Sequence, residues 1–170
     1  MMDYFNYQRR KSSEVHIGNT PMGGDNPIRI QSMANVSTMD TDAAVQQAIR
    51  MIQAGAEYVR FTTQGEREAH NLGNIRKALD GKGYMTPLIA DVHFNPKAAD
   101  AAATEVEKVR INPGNYVDRI KTFSFREYTD SEYAQEVRKI KERFVPFLNI
   151  CKEHHTAIRI GVNHGSLSDR

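Results

Sequence analysis

The chain holds one cysteine, Cys151, and no tryptophan in 170 residues. A lone thiol cannot close an intrachain disulfide, so a reducing compartment fits and the cytoplasm is the expected address. Cys151 falls in the run Phe144 to His155, which reads as helix, so a buried, inert thiol is expected. Charge of one sign is scarce too. Lys plus Arg number 23 against 21 Asp plus Glu, a net charge of +2, which is too mild for nucleic acid or a membrane surface. No run approaches the length of a membrane span, and the start, MMDYFNYQRRKSSEVH, lacks the apolar core of a secretory signal. What remains, at 39% hydrophobic and 26% charged residues, is an ordinary globular composition with enough length for a real core.

One layout recurs along the chain. Ile28 to Met33, Glu57 to Thr63, Pro87 to His93, Lys108 to Asn112 and Ala157 to Asn163 read as strands, with helical patterns between them. Asp40 or Thr41 can cap a helix whose apolar stripe is Ala44, Val45, Ala48, Ile49, Ile52 and Ala54. A second helix lies within Gly65 to Leu79 and ends at Gly81 or Gly83. A third, Pro96 to Thr104, starts on a favoured proline. The segment Val117 to His155 is long, polar and helical. Val15 to Asn19 and Pro21 to Gly24 suggest a hairpin with a glycine-rich turn ahead of the first strand. Repeated βα units imply parallel strands joined by right-handed crossovers.

The strands also share a polar face. Side chains alternate along a strand, so Arg110 and Asn112 point one way while Val109 and Ile111 point the other. Arg159 and Asn163 share a face in the same manner, Arg60 lies between two apolar neighbours, and Asp91 and His93 are aimed together. An open doubly wound sheet, covered on both sides, has near-continuous apolar strands instead. A polar face on five strands therefore predicts the lumen of a TIM-type (β/α)8 barrel, incomplete at five units, with ligands held at the carboxyl ends of the strands. Arg60, Arg110 and Arg159 converging there describe a pocket for a highly charged anion, since each guanidinium pairs phosphate oxygens in a fork. The bland alternative is that they pair with Asp91 in lumen salt bridges. His93 can donate to a ligand oxygen or move a proton. Asp91 and His93 alone make no metal site. The turns Asn112-Pro113-Gly114-Asn115 and Asn163-His164-Gly165-Ser166 end the last two strands, where glycine lets backbone N–H groups approach a phosphate.

The segments Ile30-Gln31-Ser32-Met33-Ala34-Asn35, Tyr58-Val59-Arg60-Phe61, Ile89-Ala90-Asp91-Val92-His93-Phe94, Val109 to Asn115 and Ile158 to Ser166, in that order, resemble the 4-hydroxy-3-methylbut-2-enyl diphosphate synthase family of the methylerythritol phosphate route to isoprenoids. The resemblance covers about residues 13–170. It implies a barrel that binds a cyclic diphosphate, 2-C-methyl-D-erythritol 2,4-cyclodiphosphate. It further implies a separate domain holding a [4Fe–4S] cluster on three cysteines and a glutamate, and a ferredoxin- or flavodoxin-like electron donor that drives reductive ring opening. On that resemblance Arg60, Asp91, His93, Arg110, Asn112, Arg159 and Asn163 are the expected substrate-binding residues. Residues 1–12 are expected to be a flexible terminus, and 13–170 the amino-terminal part of the barrel. The remaining strands and the iron–sulfur domain are absent from this chain, and the long segment Tyr116 to His155 looks like the larger form of the enzyme, with an extra domain. The fragment alone is expected to be inactive and to self-associate through its open edges. The runners-up are a pterin-binding barrel of the dihydropteroate synthase type and a simple phosphate-ligand binding module.

Overall fold

The structure, a computed structural model, describes residues 10–118, 127–163 and 167. The elements alternate as β1 (Gln31–Met33), α1 (Thr41–Gln53), β2 (Tyr58–Thr63), α2 (Glu66–Asp80), β3 (Leu88–Val92), α3 (Pro96–Ala103), β4 (Lys108–Ile111), α4 (Asp130–Glu153) and β5 (Ala157–Ile160). All neighbouring strands are parallel and lie in the order β1-β2-β3-β4-β5. A doubly wound sheet reverses direction at a switch point. Unbroken sequential order is the wall of a barrel, here unclosed, with β1 and β5 as its edges among the described residues.

Two cores lie on opposite faces of this wall. Val59, Phe61, Leu88, Ala90, Val92, Val109 and Ile111 point outward into one buried cluster with residues of all four helices, such as Ala48, Leu72, Ala102 and Phe147. On the inner face a small second cluster, Ile17, Tyr58 and Ile89 with Ala157 against it, closes the amino end. Ile17 comes from the predicted hairpin, in which Val15 and Met22 exchange backbone hydrogen bonds of 2.8 and 2.9 Å. Tyr58 Oη donates to Thr20 O at 2.6 Å and pins this hairpin to β2. The double glycine is not at the tip. Gly23 and Gly24 follow the returning strand, where the Gly24 N–H donates to Ser12 O at 3.1 Å.

Helix starts follow the sequence closely. Asp40 Oδ1 accepts from Ala43 N, Asn95 Oδ1 accepts from Lys97 N and Ala98 N with Pro96 next, and Thr129 with Glu132 forms a full capping box. The first strand is shorter than expected. Pro27 offers no N–H and Ile28 is 95% exposed, so regular pairing begins only at Gln31. The expected excursion after β4 holds one long helix, α4, whose carboxyl half supplies the buried Phe147 and Cys151 despite Pro146. Phe144 and Phe147 pack round Tyr116, with ring centroids 5.9 and 5.8 Å away. Arg143 also binds Asp100 of α3 at 2.5 Å. Residues 1–9 of the expected flexible terminus, and His164, Gly165 and Ser166 of the last expected turn, lie outside the described residues.

Candidate functional site

Register builds the site. Thr62 lies opposite Asp91, Asp91 opposite Arg110, and Arg110 opposite Arg159, so four strands set four polar side chains in one inward row. The row beneath is Met33, Arg60, Ile89, Lys108 and Ala157. Arg60 reaches up from that row, and its Nη2 pairs with Asp91 Oδ2. Arg110 Nη1 lies 3.4 Å from Asp91 Oδ1, and its Nη2 donates to Gly161 O at 3.2 Å. His93 stands one step further toward the carboxyl end. Its Nε2 and Nδ1 are 2.7 and 3.0 Å from Arg110 Nη1, and its Nε2 is 3.2 Å from Asp91 Oδ2. Arginine can only donate, so the imidazole accepts from Arg110, and the ring nitrogen closer to the guanidinium is Nε2.

Asp91 is 3% exposed and Arg110 8%. The single carboxylate thus serves two guanidiniums, which is the lumen salt bridge weighed as the bland alternative. It does not balance them. Lys108 is also buried, its Nζ 5.4 Å from the centre of the Tyr58 ring. Burial first, then the positive charges of Arg159 and Arg60, hold its pKa below the ordinary lysine value of 10.5. Arg159 is exposed in register with Arg110 and makes no ion pair among the described residues. Among the described residues this face therefore carries four cations and one carboxylate, which pairs with two of them. Arg60 Nε is moreover buried with no acceptor, a donor left over once Asp91 has been served.

The structure brings Arg60, Asp91, His93 and Arg110 into one bonded cluster with Arg159 beside it. Asn112 sits just above, 1% exposed, and its Oδ1 accepts from Gly114 N at 3.0 Å, so it shapes the turn Pro113–Asn115 that ends β4. Asn163 lies three residues past β5 and is exposed. Sequence reasoning missed Gly161. A Cβ there would collide with the Arg110 guanidinium, so glycine at this point of β5 makes room for the arginine. The sandwiched order Arg159-Ile160-Gly161-Val162-Asn163 carried that signal, because Gly161 shares the inward face. A cavity of about 480 Å³ lies lower down, lined by Ile17, Tyr58, Lys108, Ala157 and Arg159 among others, and belongs to the amino half of the lumen. The cluster of charges is above it, where a barrel holds ligands.

Residues 12–170 match the family model described as the GcpE TIM-barrel domain. Three curated relatives are named 4-hydroxy-3-methylbut-2-en-1-yl diphosphate synthase (flavodoxin). They come from Parabacteroides distasonis at 80% identity, Phocaeicola vulgatus at 72% and Bacteroides thetaiotaomicron at 71%, each over 169 residues. These alignments take in 99% of this chain and 28% of each relative, so the chain spans little more than a quarter of their length. Among solved structures, Burkholderia cenocepacia dihydropteroate synthase complexed with 7,8-dihydropteroate superposes with a TM-score of 0.52 at 16% identity, over 90% of this chain and 65% of that one. That likeness is one of fold. Sequential parallel strands, an inward cationic row and the family match agree, and this chain belongs to the GcpE TIM-barrel domain family.

Proposed function

We propose that this chain is the substrate-binding barrel portion of an oxidoreductase that reductively opens 2-C-methyl-D-erythritol 2,4-cyclodiphosphate to 4-hydroxy-3-methylbut-2-enyl diphosphate, with loss of water. The observation that carries the reading is the excess of cations over the single carboxylate Asp91, with Arg60 Nε left without an acceptor. A diphosphate supplies the missing acceptors. Arg60 and Arg110 hold its oxygens while keeping Asp91 as their common anchor, and Arg159 closes the β5 side. On this reading His93, beside Arg110 and Asp91, helps to fix the ligand's orientation, and Asn112, Gly114 and Asn163 shape the strand-end turns around it.

The reductive step needs a [4Fe–4S] cluster, which would supply the electrons, and the residues present do not fit one. Cys151 is the chain's only thiol and is buried in α4. Among the described residues no group of three or more His, Cys, Asp or Glu could hold a metal. On this reading the cluster ligands belong to the part of the relatives that this chain does not span, and the names of those relatives make flavodoxin the electron donor to test first. A cytoplasmic address suits such a donor. Among the described residues no helix is long and apolar enough to cross a membrane.

The test is calorimetry with the cyclic diphosphate on the full-length protein. Arg110→Lys keeps the charge and loses the fork, so affinity should fall about tenfold or more. Lys108→Ala, in the row beneath, should change it by less than about threefold. Wild-type affinity in Arg110→Lys together with lost binding in Lys108→Ala would move the site to the amino end of the lumen.

A further inference from the structure

Phe94 follows β3 with a φ of 62°, one of two non-glycine residues of positive φ among the described residues. The other, His155, stands just past the end of α4, where a left-handed residue is a routine helix stop. Phe94 has no such setting. It joins a strand to the N-cap Asn95 of α3, a place where glycine or asparagine would sit without strain. A bulky residue held there carries backbone strain that its surroundings must offset. Packing does not explain it, since Phe94 is 48% exposed. Nor is it exposed because it lies on an open edge: β3 has β2 on one side and β4 on the other.

The ring stands at the carboxyl rim, its centroid 5.8 Å from that of His93. His93 in turn contacts Asp91 and Arg110 of the upper inward row, which runs Thr62, Asp91, Arg110 and Arg159, a set that would hold inorganic pyrophosphate as readily as an organic diphosphate. Telling the two apart requires a surface that reads carbon. We propose that Phe94 is that surface: its ring lies against the carbon skeleton of the bound diphosphate and makes this a site for an organic diphosphate rather than for the bare anion. The inference rests on the diphosphate reading above. It assigns specificity to a residue that touches the ligand's hydrocarbon part, while the arginines hold the charge.

The experiment compares the full-length protein with Phe94→Gly and Phe94→Asn. Two ligands, inorganic pyrophosphate and the cyclic diphosphate, are titrated by calorimetry, with melting temperatures measured in parallel. Both substitutions relieve the left-handed backbone and remove little buried surface, so melting temperatures should stay within about 2 °C of the parent or rise. Pyrophosphate affinity should be unchanged, and affinity for the cyclic diphosphate should fall about tenfold. Unchanged binding of the cyclic diphosphate, an equal loss for both ligands, or a large drop in melting temperature overturns the assignment. If the parent binds both ligands and the variants fail to separate them, the diphosphate reading stands and Phe94 loses its role. If the parent takes pyrophosphate and ignores the cyclic diphosphate, both fall together.

Discussion

Asp91 and Arg110 face each other in register across β3 and β4, and the same carboxylate also takes Arg60 from the row below. One anion thereby organises two guanidiniums, and His93 Nε2 lies 3.2 Å from it and 2.7 Å from Arg110 Nη1.

Removing that anion should hurt the empty protein more than the loaded one. Asp91→Asn leaves two largely buried arginines without a counter-charge, a change that costs about 3–5 kcal/mol where such pairs are fully buried and less here, because Arg60 keeps some solvent contact. The melting temperature should drop, and saturating pyrophosphate should raise it by more than it raises the parent's, since the ligand restores negative charge. A ligand-induced shift equal to or smaller than the parent's would show that Asp91 does not stand in for the anion.

Lys108 predicts a pH dependence. Burial lowers its pKa in the folded state, so between that value and 10.5 the unfolded chain carries more protons than the native one. Stability from this group then rises with pH across that window, and is lost again as pH falls through the folded value. Lys108→Met should flatten the rise. Urea unfolding of both proteins from neutral pH to about 10.5 checks it, and parallel curves would contradict the burial assigned to this amine.

Burial also pushes the Cys151 thiol up to about 12. A disulfide reagent at mildly alkaline pH should leave it unmodified until the chain unfolds, because the thiolate is the reacting form. Anaerobic reconstitution of this chain with iron and sulfide should yield no cluster absorption. A stoichiometric cluster that depends on Cys151 would bring the redox centre back into this part of the protein.

The open wall should associate. Among the described residues β1 and β5 are the edges of the sheet, and Ile160 and Val162 are 57% and 65% exposed beside one of them. Sedimentation at tens of micromolar is expected to show dimers or larger species of this chain. A stable monomer that leaves hydrophobic dyes dark would refute it.

Much of this was readable in the residues. Alternation put Arg60, Asp91, Arg110 and Arg159 on one face, and cap residues such as Asp40 and Asn95 placed the helix starts, because both signals are local. What sequence could not give was register. Only the pairing of Asp91 with Arg110, and of Arg110 with Arg159, turns a shared face into a shared row, and register is a property of two strands. Gly161 stayed hidden for a similar reason, as its smallness matters only because a side chain from β4 occupies the space. The positive φ of Phe94 is likewise invisible in the sequence, where phenylalanine gives no sign of a left-handed backbone. Asn112 was read as reaching a ligand, and the structure adds that its carbonyl oxygen is engaged by its own turn.

The plug of Ile17, Tyr58, Ile89 and Ala157 beneath the arginines has an electrical consequence. Its hydrocarbon polarises weakly, and Lys108 and Arg159 border the cavity beside it, so the positive potential of this face is screened poorly from below and spreads toward the water at the opposite end. Anions approaching that end are drawn in from roughly a Debye length away, about 10 Å in 0.1 M salt. Association with a diphosphate should therefore be fast and should slow steeply as salt is added, while the off-rate, set by the forked contacts at the rim, changes far less.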